Sequence, residues 1–282
     1  MFIIIKNNIF LGCNVGIGKI TALELAKLGA KIIMGCRNQQ SGEEAKQSII
    51  TDSKNDNIIL KKLDLSSFES VRAFANEVMQ EEERIDILVN NAGVMALPFG
   101  LTVDGFEKQF AINHLGHFLL TNLLLDLLKK SDAARVVVVA SKMAKISTTN
   151  FDDINYENNR YSPYPAYARS KLANILFVSE LSRRMEGTNV TTYSVHPGVV
   201  KTELYRDQRA ITKAFMWPAR FFMKTPEQGA ATTLYCALEQ GIEENSGRYF
   251  AGKKVESLPV KYTDKELAAK LWEMSEKMTK LQ

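Results

Sequence analysis

Cysteine, histidine and long apolar runs are scarce in this sequence. Its 282 residues include 3 cysteines, 3 histidines and 2 tryptophans. Cys13, Cys36 and Cys236 are odd in number and widely spaced, with no C-x-x-C pair. That pattern argues against both a disulfide framework and a zinc site. Cys13 and Cys36 fall beside predicted strands and read as buried thiols, and a reducing compartment fits. His114, His117 and His196 form no H-E-x-x-H pattern, so no catalytic metal is expected. His114 and His117 read as packing residues. The run Phe2 to Ile5 is too short for a signal-peptide core or a membrane span, and no later run approaches spanning length. The chain as given therefore reads as soluble or peripheral, in the cytoplasm or on the cytosolic face of an internal membrane. Charge of one sign is also scarce. The net value of +4 is too mild and too evenly spread to indicate nucleic acid. It suits an anionic cofactor or an anionic membrane surface without requiring either.

What is present is a repeated alternation of short β-rich runs and longer helical patterns. Ile9 to Leu11, Lys31 to Met34, Ile58 to Leu63, Ile85 to Val89, Arg135 to Ala140 and Val190 to Val195 read as six strands, with Arg248 to Phe250 a candidate seventh. A helix is expected from about Ile17 to Leu28, stopped by Gly29. The strands are short, β-branched and almost continuously apolar, as in a parallel sheet covered on both faces. The expected fold is α/β, a doubly wound Rossmann-like sheet with a ligand crevice at the strands' C-terminal ends. No repeat or linker divides the chain, so residues 1–282 read as one dinucleotide-binding domain. That length can bury a sizeable core.

Gly12, Gly16 and Gly18 are spaced G-x-x-x-G-x-G between the first strand and the first helix. Glycine lets backbone N–H groups approach a pyrophosphate, and the helix N-terminus adds partial positive charge. A glycine triplet alone is weak, but the strand–turn–helix context strengthens it. Gly12, Asn14, Gly16, Ile17 and Gly18 are the candidate contacts. Strand two ends Met34-Gly35-Cys36-Arg37-Asn38, with no carboxylate for ribose hydroxyls. Arg37 could instead pair with a 2′-phosphate through its planar fork, which favours NADP(H) over NAD(H). The alternative for Arg37 is a solvated surface arginine. Asp64, followed by Leu65, is placed to bond an adenine amino group or to N-cap the next helix.

Tyr167 and Lys171 stand at i and i+4, on one face of a predicted helix. A phenol titrates near 10, and a neighbouring ammonium lowers that value. Tyr167 could then exchange a proton with a substrate oxygen while hydride moves at carbon. Y-x-x-x-K alone is common by chance. Tyr161 and Tyr164 lie nearby, but neither has a lysine four residues on. Ser141 follows strand five at the crevice end, where its hydroxyl could hold a substrate oxygen. A small polar residue also commonly ends a strand. Asn113 lies inside a helical pattern, where asparagine is a mediocre former. A kinked turn holding a water linked to the lysine would account for it.

Taken together, these residues resemble the short-chain dehydrogenase/reductase family. The pieces run in family order: the turn at Gly12, Asn90-Asn91-Ala92-Gly93 after strand four, Asn113, Ser141, Tyr167 with Lys171, and Pro197-Gly198 after strand six. The likeness extends from about Ile9 to Gly252. It implies a catalytic tetrad of Asn113, Ser141, Tyr167 and Lys171. Tyr167 would be the acid/base, and Lys171 would lower its pKa and bind the nicotinamide ribose. Ser141 would orient the substrate oxygen and Asn113 would hold a relay water. Asn91 would support the central strand, Ala92 and Gly93 would line the cofactor cleft, and Pro197, Gly198 and Thr202 would contact the carboxamide. Asn113 to Phe118, Ser170 to Asn174, Ser194 to Gly198 and the Asn150 to Asp153 segment are similar to the retinol dehydrogenase group. That likeness implies NADP(H) and lipophilic alcohols or carbonyls such as retinoids and steroids. Leu11 departs from the family's usual threonine and Val15 from a frequent hydroxyl residue, which would loosen the turn or weaken phosphate contacts. Many members of that group carry an N-terminal membrane anchor, and none is expected from the short apolar run Phe2 to Ile5.

Residues 205–224 interleave Phe215, Met216, Trp217, Phe221 and Phe222 with Arg206, Arg209, Lys213 and Arg220. The family resemblance makes this segment the substrate lid. A basic aromatic helix can also touch a membrane surface, and ordinary core packing is the plainer alternative. Asp264 to Lys280 reads as an amphipathic helix that packs on its own domain or on a second subunit. The leading expectation is an NADP(H)-dependent oxidoreductase acting on a small lipophilic substrate, with a homodimer and peripheral membrane contact open. The alternative is a catalytically weak NADP-binding regulatory or scaffold protein of the same fold.

Overall fold

A computed structural model describes residues 7–201 and 223–281. Seven parallel strands, β1 (Asn7–Leu11), β2 (Lys31–Cys36), β3 (Ile58–Lys62), β4 (Ile87–Asn90), β5 (Ala134–Val139), β6 (Val190–His196) and β7 (Tyr249–Ala251), form one sheet with an antiparallel edge strand, β8 (Lys254–Val255). Their order is β3-β2-β1-β4-β5-β6-β7-β8. The strand order reverses direction between β1 and β4, which opens a crevice above their C-terminal ends.

The strand sequences explain the layers. Side chains alternate across a sheet, so a fully apolar strand feeds two cores at once. Ile33, Leu88, Val136 and Val138 point into one core, while Ile32, Met34, Ile87, Val89, Val137 and Val139 point into the other. The first core is closed by α3 (Phe68–Glu81), α5 (Gly116–Leu123), α7 (Pro163–Arg184) and α9 (Lys265–Thr279); shorter α4 (Lys108–Phe110) and α6 (Leu125–Lys129) flank α5. The second is closed by α1 (Gly16–Lys27), α2 (Gln39–Ser53) and α8 (Pro226–Leu238). No helix among the described residues is long and apolar enough to cross a membrane.

The expected stop at Gly29 is present, with φ +80°. β4 begins two residues later than the apolar run suggests, because the Ile85 N–H bonds Leu127 O at 3.1 Å instead of joining the ladder. The C-terminal amphipathic pattern is α9, and it packs on its own chain. Trp272 meets Phe118 edge-on at 4.9 Å and stacks on Phe177 at 5.7 Å, with the Arg184 guanidinium 4.4 Å from its ring. Removing a buried aromatic costs about 3–5 kcal/mol through lost burial and the cavity left behind. Trp272→Ala is therefore expected to lower the free energy of unfolding by that amount, read as a lower urea midpoint with an unchanged denaturant slope. A midpoint within error of the parent's would show that α9 is dispensable to the core.

Candidate active site

The glycine turn is compressed against the segment after β4. A Cβ on Gly12, whose φ is +67°, would lie 2.7 Å from the Ala92 Cα. One on Gly18 would lie 2.2 Å from the Gly12 carbonyl oxygen and 2.5 Å from Asn91 Nδ2. Asn91 Nδ2 donates to that same carbonyl at 2.9 Å, joining the ends of β1 and β4. Val15 occupies the N-cap of α1 and provides no side-chain cap. The first N–H groups of α1 thus remain open to an anion, as a phosphate site requires. The departure at Val15 removes a hydroxyl without closing the turn. Asn14 turns to the next helix, where its Nδ2 donates to Ser41 Oγ at 3.0 Å. Ile17 is half-buried, and its carbonyl accepts from Thr21 Oγ1 at 2.8 Å.

Arg37 follows β2 directly, is exposed, and makes no ion pair with another described residue. The next residue, Asn38, caps α2 by accepting from the Ser41 N–H at 3.0 Å. No carboxylate stands between Cys36 and Gly42. The N-cap alternative for Asp64 is corrected: Ser67 caps α3. Asp64 Oδ1 instead accepts from the N–H and the hydroxyl of Ser66, at 2.9 and 2.7 Å, in a local turn. Two oxygen-bearing residues compete within four positions, and the one nearer the helix wins. Leu65 is buried beneath Gly116, where an added Cβ would lie 2.8 Å from the Leu65 carbonyl.

Asn113 lies in a π-helical turn, Ala111–Leu115. The expected interruption of the helix is therefore real. Its side chain clamps the strand-four extension in both directions. Oδ1 accepts from Val94 N–H at 2.8 Å, and Nδ2 donates to Val94 O and to Ser170 Oγ, each at 2.9 Å. Ser170 Oγ in turn donates to Tyr167 O at 2.8 Å. These bonds bring the Asn113 turn against the part of α7 that carries the Y-x-x-x-K pair. Lys171 Nζ donates to Val139 O at 2.9 Å and lies 5.8 Å from the Tyr167 ring centroid. Gly93 leaves room there: its added Cβ would lie 3.3 Å from Asn113 Oδ1 and 3.4 Å from Lys171 Nζ. Tyr161 is occupied elsewhere, donating to Leu97 O and accepting from Gln109 Nε2, both at 2.8 Å.

Ser141 lies two residues beyond β5 and caps a short 3-10 turn, Lys142–Ile146, by accepting from Met143 N–H at 3.2 Å. Its own hydroxyl proton stays available to a ligand oxygen. Pro197 and Gly198 follow β6, and Gly198 has φ +97°. Thr202 and residues 205–222 of the expected lid lie outside the described residues.

Residues outside the expected tetrad also support this region. Asn174 Nδ2 reaches Val139 O at 3.2 Å, beside Lys171. His117 Nδ1 lies 2.9 Å from the Asn113 carbonyl, which can only accept, so that nitrogen carries the proton. Burial, followed by the Lys171 charge, pulls His117 down to about 3, and it stays neutral. Ser170 was within reach of sequence reasoning, being one turn from Tyr167. Asn174 was less so, since its role depends on which carbonyl it meets.

Burial pulls Lys171 from 10.5 down to about 7. Unfolded, the group titrates near 10.5, so between those values the unfolded chain holds a proton that the native chain lacks. Stability conferred at this group therefore rises with pH from about 7 to 10.5 and is lowest below 7. Lys171→Met is expected to be more stable than the parent at pH ~6 and to lose that advantage by pH ~9–10. Urea midpoints at both pH values check this, and a pH-independent difference between the proteins would contradict it.

A glycine turn on β1, an asparagine clamp after β4, a kinked Asn113 helix and a Tyr–Lys helix beside β5 define a short-chain dehydrogenase. Residues 6–212 match the short chain dehydrogenase family, and the chain belongs to it. It is an oxidoreductase of a family that works with a nicotinamide cofactor. Within the family it is similar to retinol dehydrogenases. It is 48% identical to Retinol dehydrogenase 14 of Mus musculus, over 97% of this chain and 85% of that one. It is 47% identical to Retinol dehydrogenase 12 of Homo sapiens, over 95% and 84%. Among solved structures, an uncharacterized protein from Mycobacterium Paratuberculosis aligns with a TM-score of 0.80 at 37% identity, covering 98% of this chain and 94% of that one.

Proposed function

We propose that this chain is an NADP(H)-dependent oxidoreductase that interconverts a lipophilic alcohol and its carbonyl. The observation that carries the cofactor choice is Arg37, exposed at the end of β2 with no carboxylate beside it. Two observations support a dinucleotide here: glycine at 12 and 18 allows the turn to pack closely on Ala92 and Asn91, and the α1 N-terminus has no side-chain cap. Gly12, Gly16 and Gly18 would admit the pyrophosphate, Arg37 the 2′-phosphate, and Asp64 the adenine amino group. Ala92, Gly93, Pro197 and Gly198 would line the nicotinamide end, with Lys171 on the ribose. When bound, the nicotinamide gives or takes the hydride at the substrate carbon. Tyr167 would hold or supply the proton at the substrate oxygen, Ser141 would orient that oxygen, and Lys171 would favour the phenolate. Asn113 would keep Val94 and α7 in register. The names of the relatives support a lipophilic substrate such as a retinoid.

The test is titration with NADPH and NADH, following protein fluorescence. A charge-assisted pair contributes about 1.5–3 kcal/mol, so Arg37→Ala should weaken NADPH about 10- to 100-fold and leave NADH nearly unchanged. Equal affinity of the parent for the two cofactors would overturn the NADP(H) assignment.

A further inference from the structure

Cys13 and Cys36 are separated by 23 positions in sequence, but parallel pairing of β1 and β2 sets Leu11 beside Gly35. The chain beyond each strand therefore leaves the sheet side by side. The two sulfurs lie 3.9 Å apart and both residues are buried. Cys13 belongs to the glycine turn, and Cys36 immediately precedes Arg37. We propose that Cys13 and Cys36 are a modification site, closed to a disulfide by a peroxide and reopened by a thiol, and that closure weakens dinucleotide binding at the adjoining turn. The bond itself is argued from geometry; its effect on the dinucleotide rests on the function proposed above.

The chemistry divides the roles. Both thiols are buried, so peroxide reaches them only when the turn or the end of β2 opens, and Cys36 is the attacking sulfur because its thiol is the one drawn down. The hydrogen bond from Cys13 draws the Cys36 thiol down, while burial pushes Cys13 up. The Cys36 thiolate attacks one peroxide oxygen, the O–O bond breaks, and sulfenic acid and hydroxide form. The Cys13 thiol then displaces the sulfenic hydroxyl, forming the S–S bond and releasing water. In total two thiols lose two electrons and two protons, and one peroxide becomes two waters.

The geometric change is specific. A disulfide is about 2.05 Å long, so the sulfurs must close by roughly 1.9 Å from 3.9 Å. The turn has little room to follow. The Cys13 Cα lies 3.0 Å from where a Gly18 Cβ would stand, and Asn91 holds the Gly12 carbonyl at 2.9 Å. Closure therefore displaces the turn, or the Cys36–Arg37 end of β2. Both are places where the phosphates would be held. Linkage makes the effect reciprocal: a bound dinucleotide opposes closure to the same degree that closure opposes binding. Cys236 is an internal control, since it is buried and its thiol is pushed up to about 12.

The experiment uses the full reduced chain, treated with hydrogen peroxide, alkylated, and digested without reductant for peptide mass spectrometry. The expected result is a Cys13 peptide joined to a Cys36 peptide with loss of two hydrogens, reversal by dithiothreitol, and alkylated Cys236. NADPH affinity should fall at least about tenfold on oxidation. NADPH added before the peroxide should slow the linkage. Cys36→Ala and Cys13→Ala should each show the same NADPH affinity before and after peroxide. Alkylation of both thiols after treatment, linkage without a change in affinity, or an affinity loss that persists in both variants would each overturn the proposal. If the reduced chain binds neither NADPH nor NADH, the proposed function fails and the affinity effect falls with it. The mass of the linked peptides would still decide the disulfide.

Discussion

Tyr167→Phe is expected to lower turnover about 10²- to 10⁴-fold, the usual contribution of a positioned acid/base. NADPH affinity should change little. The ring is 4% exposed, so phenylalanine keeps the packing of α7 and removes only the hydroxyl. No other tyrosine of this stretch is placed to substitute. Tyr161 is bonded to Leu97 and Gln109, and burial pushes its phenol up. Tyr164 is exposed and stands on the first turn of α7, away from Lys171. Single-turnover rates with a lipophilic aldehyde, alongside a separate NADPH titration, distinguish the possible roles. Full activity would remove Tyr167 from the chemistry. A joint loss of rate and NADPH affinity would make its hydroxyl a structural group.

The second large effect is expected at Gly18. By helix propensity alone, Gly18→Ala should stabilise α1 by about 1 kcal/mol. The local geometry reverses that sign. The added carbon would stand 2.2 Å from the Gly12 carbonyl oxygen and 2.5 Å from Asn91 Nδ2, and the first of these is backbone. Overpacking costs about 1–3 kcal/mol, and relieving it here means breaking the Asn91–Gly12 bond that joins β1 to β4. We expect a melting temperature lower by several degrees and loss of measurable NADPH binding. Gly29→Ala is the matched control. Its φ is +80°, yet nothing lies within 4 Å of the added carbon. It should lose about 1–2 kcal/mol through backbone strain and keep its cofactor affinity. Equal effects of the two substitutions on binding would mean that the turn's crowding has no part in holding the dinucleotide.

The strands could be read from the sequence because a parallel sheet writes itself as unbroken apolar runs. Val136 to Val139 is the plainest case, with alternate valines entering opposite cores. The two-residue strand β8 could not be read, since Lys254 and Val255 carry no period. The interruption at Asn113 was legible because asparagine is out of place in an apolar helix. Its partners, Val94 and Ser170, were not, because they come from a distant loop and another helix. The two readings of Asp64 stay open in the sequence, because local spacing alone does not rank Asp64 against Ser67 as the cap of α3. Cys13 and Cys36 looked unrelated because only strand register makes them neighbours. Ser141 is legible from its place at the crevice end of strand five, whereas Pro197 and Gly198 rest on the likeness to a family and mean little without the fold around them.

The last helix has a consequence for synthesis. His114, in the Asn113 turn, lies 2.9 Å from Ser275 on α9, and Arg72 Nη2 donates to the carbonyls of Thr279 and Lys280 at 2.9 and 2.7 Å. These contacts span 161 to 208 positions of chain. A ribosome adding about 5–20 residues per second needs roughly ten to thirty seconds to make the first of them possible. During that interval the nascent polypeptide can pair its early strands, but the Asn113 turn lacks its outer support. Premature termination between β8 and α9 would therefore release a protein with its sheet strands and an unbuttressed site.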